Sequence, residues 1–113
     1  MNHPPTPDER YDALAQVMLG QADVTLGSPG KNGFGTGALQ LRGRVFAMLT
    51  AGTLVVKLPR QRVDALVASG DGNRFDPRRD GRLMKEWLVV APTSEQDWLS
   101  LARDALEFVG SRG

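Results

Sequence analysis

Apolar residues fall along this chain in two kinds of block, some with the period of a helix and some with the period of a strand. Tyr11, Leu14, Ala15 and Met18 stand at i, i+3, i+4 and i+7, the stripe of an amphipathic helix. Just before them, Thr6-Pro7-Asp8-Glu9 offers a capping threonine, a proline at the first helical position and a glutamate three residues past the cap. That is a capping box, and with Gly20 as a stop it predicts a helix over Pro7–Leu19. Val24–Leu26 reads as a short strand. Ala38–Leu41 alternates and predicts another, followed by a turn at Arg42-Gly43. Arg44–Thr50 and Thr53–Leu58 predict two strands joined by a tight hairpin at Ala51-Gly52.

Regular alternation along that hairpin sorts its side chains. Val45, Ala47, Leu49, Leu54, Val56 and Leu58 share one face, all apolar, which marks the core side. Arg44, Phe46, Met48, Thr50, Thr53, Val55 and Lys57 share the other, apolar in the middle and basic at one end. A face carrying Phe46, Met48 and Val55 calls for a cover, whether a helix, a partner or a second copy of the chain. The register of Leu39 and Leu41 depends on the turn. Two residues at Arg42-Gly43 send them to the Phe46 side, and three send them to the opposite side.

Pro59 opens a second helix with Val63, Leu66 and Val67 as its stripe and Gly70 as its stop. Residues 70–82, GDGNRFDPRRDGR, read as a loop with turn pairs at Asp71-Gly72, Asp76-Pro77 and Asp80-Gly81. Phe75 is the lone apolar anchor there. Leu83–Val90 predicts a strand, with a break near Lys85, and Pro92 ends it. Ser94 caps a last helix whose face is Trp98, Leu101, Ala102, Ala105 and Val109, widened by Leu99 and Leu106. The order, α-β-β-β-α-β(-β)-α, with strands joined by tight turns, predicts an α+β, two-layer domain with a mainly antiparallel sheet. Residues 7–110 form one domain on this reading, between a disordered segment at 1–6 and a frayed tail at 111–113.

Composition narrows the chemistry. The chain has 113 residues, no cysteine and one histidine, His3. Disulfides, thiolate metal sites and a thiol nucleophile are absent, and a histidine metal site or a Ser-His pair has almost nothing to be built from. No metal and no cofactor are expected. No apolar run nears the ~20 residues of a membrane span, and MNHPPTPDER has no apolar signal core. The expectation is a cytoplasmic protein without a membrane partner. Net charge is only +1, yet it is unevenly spread. Residues 1–23 carry −3, residues 24–85 carry eleven Lys/Arg against four Asp for +7, and residues 86–113 carry −3. A basic middle suits an anionic partner. It equally suits acidic helices packed beside a basic sheet. The stretch GSPGKNGFGTG at 27–37 lacks the GK[ST] ending and the following helix of a nucleotide P-loop, since Lys31 precedes Asn32.

Several spaced segments resemble the TfoX N-terminal domain family, to which YjbR/MmcQ-type proteins are similar. They are Gly43-Arg44-Val45-Phe46-Ala47, Lys57-Leu58-Pro59, Gly81-Arg82 and Met84-Lys85-Glu86-Trp87, and the likeness runs over about residues 9–109. Where that pattern often has Met-Phe-Gly, this chain has Asn32-Gly33-Phe34-Gly35. The resemblance implies a helix, three strands, a helix, two strands and a helix. It implies no catalytic residue and no cofactor. It does imply a link to transcriptional regulation, since some relatives are labelled DNA-binding.

The candidate site follows from the residues themselves. Arg74, Arg78, Arg79 and Arg82 with Lys85 crowd one segment, and Arg44 and Lys57 extend it at the sheet's end. Arginine forks match phosphate and carboxylate oxygens. The competing reading is local pairing with Asp76, Asp80 and Glu86, or plain solvation. Trp87 beside Lys85 offers a stacking surface for a base or planar ligand, against its alternative as a core tryptophan. The expected function is therefore a non-enzymatic binding or regulatory module for nucleic acid or another anionic partner. Two alternatives stand beside it: an adaptor that homodimerises through Phe46, Met48 and Val55, and a small-molecule binder or weak enzyme at Lys57, Lys85 and Trp87.

Overall fold

A computed structural model describes residues 6–27, 37–50, 52–75, 84–91 and 97–111, the side chains of residues 84 and 85 excepted. The chain runs α1 (Pro7–Met18), β1 (Val24–Leu26), β2 (Leu39–Leu41), β3 (Arg44–Thr50), β4 (Thr53–Lys57), α2 (Arg60–Ala68), β5 (Gly72–Phe75), β6 (Met84–Val90) and α3 (Trp98–Ser111). The six strands form one open antiparallel sheet in the order β1-β2-β3-β4-β6-β5. This is an α+β fold of two layers.

Local chemistry sets the element ends. Thr6 and Glu9 close the capping box on α1, with Thr6 Oγ1 accepting from Glu9 N at 3.1 Å and Glu9 Oε1 accepting from Thr6 N at 3.0 Å. The β2–β3 turn has two residues, Arg42 at φ 51° and Gly43 at φ 84°, the paired positive φ of a hairpin turn matched to strand twist. Positive φ is unusual for arginine. Asp23 supports it from the start of β1, its backbone oxygen accepting from Arg42 N at 3.1 Å and its carboxylate from Arg42 Nε at 3.2 Å. At the start of α3, Asp97 Oδ2 accepts from Ser100 N at 3.2 Å among the described residues. Ser94 lies outside them.

All three helices pack on one face. Their stripes (Tyr11, Leu14, Ala15 and Met18; Val63 and Leu66; Trp98, Leu101, Ala102, Ala105 and Val109) join Ala47, Leu54, Val56, Leu58, Leu88 and Val90 in one cluster. Fully burying one of its larger apolar side chains contributes roughly 1.5–3 kcal/mol. Tyr11 ties α1 to the sheet, its hydroxyl donating to the Gly37 carbonyl at 2.8 Å. Gly37 and Gly27 close the neck of the glycine-rich segment, where Gly27 N donates to Ala38 O at 2.8 Å. An added Cβ on Gly37 would run into the Gly27 carbonyl, so glycine here serves close backbone approach. Residues 28–36 lie outside the described residues.

Two expectations are corrected. Phe46 does not face away from the helices. Between the pairs Gln40↔Val45 and Leu39↔Ala47, β3 advances two residues for one on β2, leaving Phe46 as the extra residue of a bulge. A bulge breaks the alternation of side chains. Phe46 therefore joins the helix-side cluster, fully buried, together with Leu39. Leu39 and Leu41 do share a side with Phe46, as the two-residue turn requires, but that side is the core. The second correction is at 72–75, expected as loop and observed as edge strand β5, with Gly72↔Val90, Asn73↔Val89 and Arg74↔Leu88 paired. Gly72 lies so close to β6 that an added Cβ would meet the Val89 carbonyl and Leu88. Its polar neighbours give no period-2 signal, which hides the strand.

Candidate functional site

The open face of the sheet follows from the registers. Met48 pairs with Val55, Val55 with Val89 and Lys57 with Trp87, so all five side chains share the side away from the helices. Val45, expected on the core face, pairs with Gln40 beyond the bulge and belongs on this side instead. Among the described residues no helix covers this side. Val45, Met48, Lys57, Trp87 and Val89 are half-buried. Val55 is the exception, at 0% exposure although outside the helix-side cluster. Val55 is thus buried where an interface residue would be exposed, and with Phe46 in the core, Met48 alone of the three expected interface residues stands half-buried on this side.

At one end of this sheet the strands part. The β3–β4 ladder stops at Ala47↔Val56, and β4 leaves the sheet through Leu58-Pro59 into α2. The start of β3 and the facing part of β6 thus lose the strand between them, although Leu58 N still donates to Glu86 O at 2.9 Å. The gap is a hollow of about 570 Å³ lined by Arg44, Val45, Lys57, Glu86, Trp87 and Val109. Arg44 is exposed at its rim. Lys57 Nζ lies 5.6 Å from the centroid of the Trp87 ring, within the ~6 Å over which a cation is drawn to an indole face. A second hollow of about 510 Å³ shares Glu86 and adds Pro59, Arg60, Gln61, Asp64 and Phe108.

The structure separates the candidate cations. Arg44, Lys57 and Trp87 come together in the first hollow. Arg74 does not join them: from β5 its guanidinium pairs with the carboxylate of Asp64 on α2. Asp64 is not among the partners expected for Arg74, and Asp76 and Asp80 lie outside the described residues. Arg78, Arg79 and Arg82 lie outside the described residues, as does the side chain of Lys85. Val45, Val109, Arg60 and Phe108 line these hollows without having stood out as site residues in the sequence. The run Val45-Phe46-Ala47 is apolar throughout, so the pattern alone does not say which of its residues faces the core. Val109 is legible only as a core residue of α3.

A third hollow, of about 340 Å³, lies between α1 and α3, lined by Glu9, Arg10, Ala13, Leu14, Val17, Asp97, Trp98 and Leu99. Arg10 already covers its aromatic floor, 3.8 Å from the Trp98 ring centroid. Among the described residues no three His, Cys, Asp or Glu side chains are grouped to hold a metal, and no helix is long and apolar enough to cross a membrane. No family model matches the chain, and neither a curated protein nor a solved structure matches it. What the fold and the hollow define is a class, a small α+β domain with one covered sheet face and a basic, aromatic hollow at the sheet's end.

Proposed function

We propose that this domain is a non-enzymatic binding module that holds an anionic partner, nucleic acid foremost, at the end of its sheet. The observation that carries the reading is the convergence of Arg44 and Lys57 on one hollow floored by Trp87. An arginine fork and a mobile ammonium take phosphate oxygens in complementary ways. Reading the module as non-enzymatic rests on the sequence, which holds no cysteine and one histidine. Membership of the TfoX N-terminal domain family belongs to the same proposal. What supports it is the strand pair between α2 and α3, as that resemblance implies, while between α1 and α2 there are four strands where it implies three.

The test is fluorescence anisotropy of labelled DNA across a salt series, for the wild-type chain and an Arg44→Glu, Lys57→Glu variant. The expected result is log K falling with log salt at about −0.7 to −0.9 per contacted phosphate, with a flatter slope in the variant. Absence of binding near physiological salt, or an unchanged slope in the variant, refutes the reading. A second reading is favoured by the open face, where Val45, Met48 and Val89 are half-buried with no described helix above them. On that reading the face pairs with a second copy. Sedimentation that gives a dimer in the wild type and a monomer in Met48→Asp supports it, and a monomer throughout rejects it.

A further inference from the structure

Resting on the anion-binding reading, we infer that the hollow takes an unpaired nucleobase together with its adjoining phosphate, and so discriminates against duplex. Three features of the lining lead there. The first is the half-buried indole of Trp87, on the open side of the sheet and beside the apolar walls of Val45 and Val109. An indole in such a place offers a flat face for a second flat ring, and every base has one. The second is Lys57, whose ammonium stands 5.6 Å from the ring centroid. That is near the outer limit of cation attraction to an indole. A lysine stem swings readily, so a stacked ring can replace the ammonium over Trp87 while the ammonium moves to the phosphate beside it. Arg44, at the rim, supplies the fork for the same phosphate.

The third feature is Glu86. Its carboxylate also lines the hollow; base edges carry N–H donors that a carboxylate accepts, and the phosphate of such a ligand lies at the opposite end. The hollow's volume of about 570 Å³ falls within the ~300–1,000 Å³ of small-ligand sites. Duplex bases present no free face, since each is stacked above and below. Only a single strand or a free nucleotide brings a bare base and a phosphate together, and the two share this chemistry.

The test uses Trp87 as its own reporter. In a Trp98→Phe variant, Trp87 is the remaining tryptophan of the chain. That variant is titrated with a dT12 strand, with the dT12–dA12 duplex and with adenosine monophosphate. Quenching by the strand is expected, and none by the duplex. Quenching by the monophosphate as well identifies the free nucleotide as a sufficient ligand, and quenching by the strand alone identifies a polymer ligand. In parallel, anisotropy of labelled dT12 compares the wild-type chain with Trp87→Ala, a change on the open face, and roughly tenfold weaker binding is expected. This arm stands even if Trp98→Phe fails to fold. Equal binding of strand and duplex without quenching, or undiminished binding by Trp87→Ala, overturns this inference and leaves the anion-binding reading intact. If nothing binds and Arg44→Glu, Lys57→Glu changes nothing, both fall together.

Discussion

The two sides of the central strands β3, β4 and β6 are made by alternate residues of the same segments, yet they answer to different physics. On the helix side, Ala47, Leu54, Val56, Leu58, Leu88 and Val90 are apolar and buried at 1% exposure or less. Each is accounted for by packing against α1, α2 or α3. On the other side, threonines, valines, a methionine, a tryptophan and a lysine stand half-buried. Packing within the described residues does not explain why a tryptophan is there. The helix side specifies the fold, and the open side, with the hollow where the strands part, is free to specify a partner.

Phe46 gives the largest expected effect that follows from this contrast. It is fully buried, whereas Met48, two residues on, lies on the open side. Phe46→Ala is expected to cost about 3–5 kcal/mol and Met48→Ala about 1 kcal/mol or less, read from denaturant unfolding. Similar costs for both would mean that the bulge does not turn Phe46 into the core.

Tyr11 gives the next. Burial, with a smaller contribution from the neighbouring charge of Asp12, pushes its hydroxyl up from 10.0 to about 12, against the opposing hydrogen bond from the Leu39 backbone. The folded state thus holds the proton more tightly than the unfolded chain. Stability from this group is complete below pH 10 and is lost as pH rises toward 12. Tyr11→Phe should cost about 1 kcal/mol at neutral pH and should remove that part of the alkaline loss. An alkaline profile identical in the two proteins would place the titrating group elsewhere. The smallest effect is expected at the opening itself. Arg44→Glu with Lys57→Glu should change stability by no more than about 0.5 kcal/mol per site while weakening anion binding, a separation that core residues never show.

Much of the helix side is legible in the residue pattern alone. The i, i+3, i+4, i+7 spacings place every buried residue of α1 and α3, and Thr6 with Glu9 marks the first helix start. The hairpin follows from alternation on either side of Gly52. What is not legible depends on contacts between segments far apart in sequence. The bulge at Phe46 is a property of β3 paired with β2, whose approach is arranged by Asp23 and Arg42 across the sheet. Strand β5 is carried by Gly72 fitting against β6, not by any pattern in Asn73-Arg74-Phe75. Arg74 reads as one of a run of cations, without a sign of Asp64, until the fold sets it against that carboxylate on α2. At the site, Arg44, Lys57 and Trp87 are legible as residue types near a sheet end. Their joining in one hollow is not, because it needs β4 to leave the sheet between β3 and β6.

The most direct measurement is a set of amide chemical-shift changes in the ¹⁵N-labelled chain as a short dT strand is added. The account predicts that the largest changes cluster at Arg44, Val45, Lys57, Glu86 and Trp87, with α1 and the outer turns of α2 unmoved. Changes centred on the groove between α1 and α3, or an absence of any at millimolar strand, would contradict it.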